Sequence, residues 1–224
     1  VRVLHIDAEN ADSQARPWLR RMQHAAIEEG APAERGRFAL RMIPESLDVT
    51  QAADRSWLAR MVGQTQPDLI SIGSLYKLTV NGESDEKAAR PVMSALEMMH
   101  TVSGGAAMLI EAHAPHAQPG GRRDLRPIGS SLWLRWPEFG FGLAPASEPG
   151  AAEPRLMDWV PRRGARSERS WPEQFCQGVT WPWQAIEYAG NAPVGVRTRT
   201  ADQATALGLD VPHPAEAFEQ SEAF

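Results

Sequence analysis

Cysteine is nearly absent from this chain: Cys176 is the only one in 224 residues. One thiol excludes an internal disulfide framework and a four-cysteine metal site, and it fits a reducing compartment such as the cytoplasm. Long apolar runs are missing too. None approaches the roughly twenty residues that span a bilayer, so no membrane helix is expected, and no run within these residues reads as a signal peptide. Lysine is scarce: Lys77 and Lys87 stand alone, and the other basic residues are arginines. A GC-rich coding sequence accounts for such a bias, while at single positions arginine brings a planar fork that grips phosphate oxygens in pairs. Excess positive charge is lacking as well. The formal net charge of −5 leaves no global basic field to draw the protein onto nucleic acid. Finally, the sequence starts at Val1, inside a strand-like run, so a fragment whose true start lies upstream is expected.

What is present is an alternation of periods. The length suffices for one α/β domain with a buried core and an appendage. Val1 to Ile6 (VRVLHI) reads as a buried strand. Residues 15–29 carry Trp18, Leu19, Met22, Ala25 and Ala26 at helical spacing, with Gly30 as a stop. Phe38 to Ile43 is the next strand. Asp48 or Thr50 is placed to cap a second helix with Ala53, Trp57, Leu58, Met61 and Val62 on its inner face, and Pro67 ends it. Leu69 to Ile72 is a third strand. A third helix runs from about Asp85 to Thr101, with Ala88, Val92, Ala95, Leu96 and Met99 inward and Gly104-Gly105 beyond it. Ala106 to Ile110 is a fourth strand.

Strands alternating with helices predict a mainly parallel sheet with helices on both faces, and chemistry in such sheets gathers at the carboxyl ends of the strands. Those ends carry Asp7-Ala8-Glu9-Asn10, Gly73-Ser74 and Glu111-Ala112-His113. Beyond His113 the texture changes. Residues 114–127 are rich in Gly, Pro and Arg and read as a long loop. Residues 128–143 return to order as a short helix and a strand, and Arg155 to Val160 reads as an antiparallel edge strand. An ordered core over 1–160 is expected, followed by an extension over 161–224: Arg- and Trp-rich at first, then Ala-, Pro- and acid-rich, loosely packed or helical in short pieces.

The constellation is an acid after one strand, a small-residue turn after another and a histidine after a third. A carboxylate so placed can orient and deprotonate water, while a side-chain donor contacts a phosphate being transferred. Four runs give this a family resemblance. VRVLHIDAEN resembles the second core strand of RecA-like ATPases. PDLISIGSLYKL resembles their Walker B strand and the turn after it. IEAHAPH resembles the strand whose last residue senses the γ-phosphate, and GGRRDLRPIGSSLWLRW the mobile loop that follows. The match covers residues 1–145 and is nearest to plasmid- and phage-type replicative helicases of the AAA family.

The resemblance implies a RecA-like three-layer sandwich with antiparallel C-terminal strands, ATP and Mg2+ as cofactors, and a homo-oligomeric ring, a hexamer, moving on single-stranded DNA. It makes Glu9 the residue that activates water and His113 the γ-phosphate sensor, with Asp7, Gly73 and Ser74 near nucleotide and metal. Arg122, Arg123 and Arg126 fall in the loop that faces DNA. Arg135, Arg162 and Arg163, with Arg166, compete as the arginine finger acting across a subunit boundary.

Two departures stand out. No G-x-x-x-x-G-K-[ST] run occurs, and such a loop would precede Val1, so this chain alone is expected to bind ATP poorly. The Walker B strand ends in Gly73 where the family has aspartate. A plain surface role for Glu9 or His113 stays open, as does a catalytically inactive regulatory or assembly subunit, or a DNA-binding module without nucleotide. His113 and His116 make a weak metal pair because no third ligand is evident at useful spacing, so no metal site is assigned. Trp133 and Trp136 are expected in core or subunit contacts, Trp171, Trp181 and Trp183 in rigid packed turns, and Cys176 as a buried small hydrophobe.

Overall fold

Four short strands pair side by side, all parallel, in the order β2-β1-β3-β4: β1 Val3–Asp7, β2 Phe38–Met42, β3 Leu69–Gly73 and β4 Ala107–Ile110. These and the features below come from a computed structural model. It describes residues 1–32, 34–45, 47–80, 86–115, 124–146, 156–163, 174–177, 183–189 and 192–197. Helices α1 Asp12–Glu28, α2 Ala52–Thr65 and α3 Glu86–Val102 make the crossovers. The register is tight: Asp7 lies opposite both Met42 and Gly73, and Ile72 opposite Ile110. Because β2 lies on one side of β1 and β3 on the other, right-handed crossovers send α1 to one face and α2 with α3 to the opposite face.

Period-two alternation explains the core. Leu4, Ile6, Ile70 and Ile72 point to the face covered by α2 and α3 and are essentially inaccessible, as are Leu58, Val62, Leu96 and Met99 from those helices. Each such side chain contributes roughly 1.5–3 kcal/mol by leaving water. Periodicity misplaces a few positions. On α3 the buried stripe is Ala89, Val92, Ala95, Leu96 and Met99, with Ala88 only half-buried beside it. Ala53 is exposed, and Trp18 on α1 is 51% exposed, so neither is a core residue.

The ends of the helices follow local chemistry. Asp48 does not cap α2 in the expected way, since the residue at that cap is Gln51 and no side chain bonds there. Asp48 builds the turn before the helix instead. Its Oδ1 accepts the Thr50 N–H at 3.0 Å and hydroxyl at 2.6 Å, and its own N–H donates to Asp54 Oδ2 at 2.8 Å from the first helical turn. At the other end Gln66 takes the left-handed conformation, with φ 43°, and donates its N–H to Val62 O before Pro67 forbids another turn. Gly105 closes α3 by donating to His100 O at 2.9 Å, at φ 102°, where a side chain is strained.

The chain divides into two compact units: Val1–Arg20 with Pro32–Trp136, and Arg21–Ala31 with the described residues from Pro137 onward. The first ends in a short helix, α4 Leu132–Arg135, where Trp133 is buried edge-on to Trp136. The second holds an antiparallel sheet in chain order: β5 Gly140–Pro145, β6 Leu156–Arg163, β7 Gln174–Gln177, β8 Trp183–Ala189 and β9 Ala192–Arg197. The expected edge strand is therefore β6, and it is internal, paired on both sides. Part of the tail expected to be loosely packed forms β8 and β9, which pair antiparallel with each other. Cys176 and Ile186 are buried, and burial pushes the Cys176 thiol above its ordinary pKa. Trp183 is 44% exposed at the start of β8 and sits in no packed turn, while Trp171 and Trp181 lie outside the described residues. No helix among the described residues is long and apolar enough to cross a membrane.

Candidate functional site

In an open parallel sheet, the crevice for a ligand opens where neighbouring strands send their chains in opposite directions. Here that point lies between β1 and β3. The tips of β1, β3 and β4 share one edge of the sheet, and the side chains at those tips meet.

At the β1 tip, Asp7 shapes the turn. Its Oδ1 accepts the N–H groups of Glu9 and Asn10, each at 2.9 Å, and its Oδ2 accepts the Asn10 amide at 3.0 Å. Desolvation pushes the Asp7 carboxyl up, but these donors outweigh it and hold the group below the ordinary aspartate range. Asp7 is thus engaged in fixing the loop that presents Glu9. At the β3 tip, Gly73 is buried and its carbonyl accepts the Ala8 N–H at 3.0 Å, tying the two tips together. The Gly73–Ser74 peptide is cis. Ser74 is 1% exposed, and its hydroxyl finds no hydrogen-bond partner among the described residues.

Glu9 and His113 come together across β3. His113 Nε2 lies 3.5 Å from Glu9 Oε2 and 3.8 Å from Glu111 Oε1. Tyr76, from the 3-10 turn Leu75–Lys77, donates its hydroxyl to Glu9 Oε1 at 3.1 Å and lays its ring against the imidazole at 5.0 Å between centroids. The cluster is open to solvent, with the side chains of Glu9, His113 and Glu111 exposed by 33%, 43% and 65%. One ligand atom from each lies within 4.8 Å of the others, a grouping able to hold a cation. Desolvation, then repulsion by Glu9, raises the Glu111 carboxyl above its usual range, and His113 pulls partly the other way. Desolvation and the bond to Glu9 likewise raise the Tyr76 phenol.

Two members of this cluster lay outside the sequence-derived site. Glu111 carries a readable signal, since it precedes His113 by two residues on the same strand tip. Tyr76 carries none, because its contact with Glu9 spans 67 positions.

Of the candidate arginines, Arg126 and Arg135 make local contacts. Arg126 is gripped by Asp124, with Nε and Nη2 each 2.7 Å from Oδ2, and this partner raises its pKa further. Arg135 is exposed at the end of α4 and donates to Ser131 Oγ at 3.2 Å. Arg162 and Arg163 close β6, and only their backbone is described. Arg122, Arg123, Arg166 and His116 lie outside the described residues.

Among solved structures, the chain is similar to a KaiC-like protein from the hyperthermophilic archaeon Pyrococcus horikoshii. The two share 11% identity over 88% of this chain and 76% of the other, with a TM-score of 0.52, a likeness of fold. No curated protein matches the chain. A family profile described as an AAA domain matches residues 1–119, which include all three strand tips and the Glu9–Glu111–His113 cluster. With over half its length inside that match, the chain belongs to this AAA domain family, and its fold is RecA-like.

Proposed function

We propose that this chain is the ATP-hydrolysing motor domain of a DNA helicase or replication ATPase, working in the cytoplasm as a ring, a hexamer, on single-stranded DNA. The observation that carries the catalytic part is the meeting of Glu9 with His113, 3.5 Å apart at the switch point of the sheet. In this reading Glu9 orients an attacking water and accepts its proton, and Tyr76 steadies the carboxylate through its other oxygen. His113 offers an N–H to an oxygen of the transferred phosphoryl group.

The side chains present fit a magnesium nucleotide in kind. Carboxylates are the hard oxygen donors that magnesium accepts beside water and phosphate, and two of them stand here with a neighbouring imidazole. The bound cation supplies neutralisation of charge on the phosphate oxygens. An arginine of the adjacent subunit, from among Arg135, Arg162 and Arg163, completes the site, and the loop of Arg122, Arg123 and Arg126 faces the DNA.

Glu9→Gln in the full-length protein tests this. Nucleotide binding should persist while turnover falls a hundredfold or more, about 3 kcal/mol of barrier. Near-normal turnover removes Glu9 from the mechanism. One observation favours a second reading, an inactive regulatory or assembly subunit: β3 ends in Gly73, without a carboxylate of its own. Steady-state ATPase measurements with and without single-stranded DNA separate the two, since only the motor responds.

A further inference from the structure

Gly73 does more than lack a side chain; the structure shows what fills the space. A Cβ added at residue 73 would lie 2.6 Å from Glu111 Oε2 and 2.8 Å from Glu111 Cβ. Real carbon atoms do not approach so closely, and the second contact is with the root of the side chain, which cannot swing away. Any residue with a Cβ at 73 is therefore incompatible with the present course of Glu111.

That course is held by backbone. The Glu111 N–H donates to Ile72 O at 3.0 Å, and its carbonyl accepts the Leu75 N–H at 3.0 Å, so residue 111 is clamped from both sides of residue 73. Adjacent strands lie about 4.8 Å apart. A glutamate, one methylene longer than aspartate, covers much of that distance when it leans across a glycine. Its carboxylate joins Glu9 and His113 in the cluster described above.

We propose that Glu111 supplies from β4 the carboxylate that β3 lacks at Gly73, and that it helps hold the divalent cation of the bound nucleotide. This assignment rests on the nucleotide-binding reading above. It also weakens the case for an inactive subunit, because the missing carboxylate has been moved by one strand and the glycine is the condition for the move.

The test uses the full-length protein with ADP and Mn2+ as a paramagnetic probe. Mn2+ affinity in the ternary complex is read by electron paramagnetic resonance, and nucleotide affinity is measured in Mg2+ and in EDTA. Glu111→Gln, which keeps the shape of the side chain, should weaken Mn2+ binding about tenfold or more and leave nucleotide affinity in EDTA unchanged. The exchange variant Gly73→Asp/Glu111→Gly frees the space and returns the carboxylate to β3, and it should recover most of the Mn2+ affinity. Unaltered Mn2+ binding by Glu111→Gln overturns the assignment while leaving the ATPase reading intact. Failure of the unsubstituted protein to bind nucleotide in either medium overturns both.

Discussion

At the residue scale, the site depends on side chains that act on one another. Tyr76 gives Glu9 one hydrogen bond and His113 a ring contact. Removing the hydroxyl in Tyr76→Phe keeps the ring and loses the bond, about 1 kcal/mol or roughly a fivefold effect. Turnover should fall by that order with nucleotide affinity unchanged, in a steady-state assay beside equilibrium binding. Gly73→Ala is the opposite kind of change, since it adds one carbon where Glu111 already stands. Overpacking of this kind costs typically 1–3 kcal/mol, so urea denaturation should show a lowered midpoint. An alanine as stable as the glycine would mean that Glu111 moves aside freely. Glu9 and His113 could be read as strand-tip residues because alternation locates tips. Tyr76 could not, because nothing local records which distant carboxylate a phenol meets.

At the element scale, the turn before α2 shows local chemistry reorganised by its surroundings. Asp48 is a reasonable helix cap by type, yet it stands before the cap residue Gln51 and bonds Thr50 and Gln51. Partial desolvation alone would raise its pKa. The donors from Thr50 and Gln51 outweigh this and leave it below the ordinary value of 3.8. A carboxyl with a lower pKa folded than unfolded contributes stability above its unfolded pKa and loses it as pH falls through the folded one. Asp48→Asn should therefore be less stable at pH 7, by about 1–2 kcal/mol, and the gap should close in the most acidic denaturation series. A gap independent of pH would assign the loss to shape, not charge. The helical stripes were legible to within one position. On α3 the true stripe includes Ala89, while Ala88 is half-buried, because two adjacent alanines give periodicity nothing to choose between.

At the scale of the whole molecule, the proposed ring has a direct test. If an arginine acts across the subunit boundary, a protein lacking it and a Glu9→Gln protein fail for complementary reasons. Mixed in equal amounts, they should regain activity, because about a quarter of the interfaces then join an intact Glu9 to an intact arginine. Carried out with Arg135→Ala, Arg162→Ala and Arg163→Ala in turn, the mixing assay singles out the finger as the variant that recovers. No recovery with any of them argues against all three. The second unit yielded less to sequence reading. Its strands β8 and β9 lie where the sequence turns rich in alanine and proline, and their pairing shows only once the partners are in place.

The amino-acid sequence by itself determined the alternation of strands and helices, the parallel sheet this implies, and the polar residues at three strand tips. Hydrophobic period and breaker residues are local properties, and they write themselves along the chain. Only the tertiary structure decided that β3 lies between β1 and β4, so that Glu9 and His113 face each other across a glycine. It likewise decided that Glu111 and Tyr76 join them. Strand order and side-chain meeting depend on packing between segments far apart in the chain, such as Gly73 with Glu111 and Glu9 with Tyr76, and no short stretch of sequence encodes its distant neighbour.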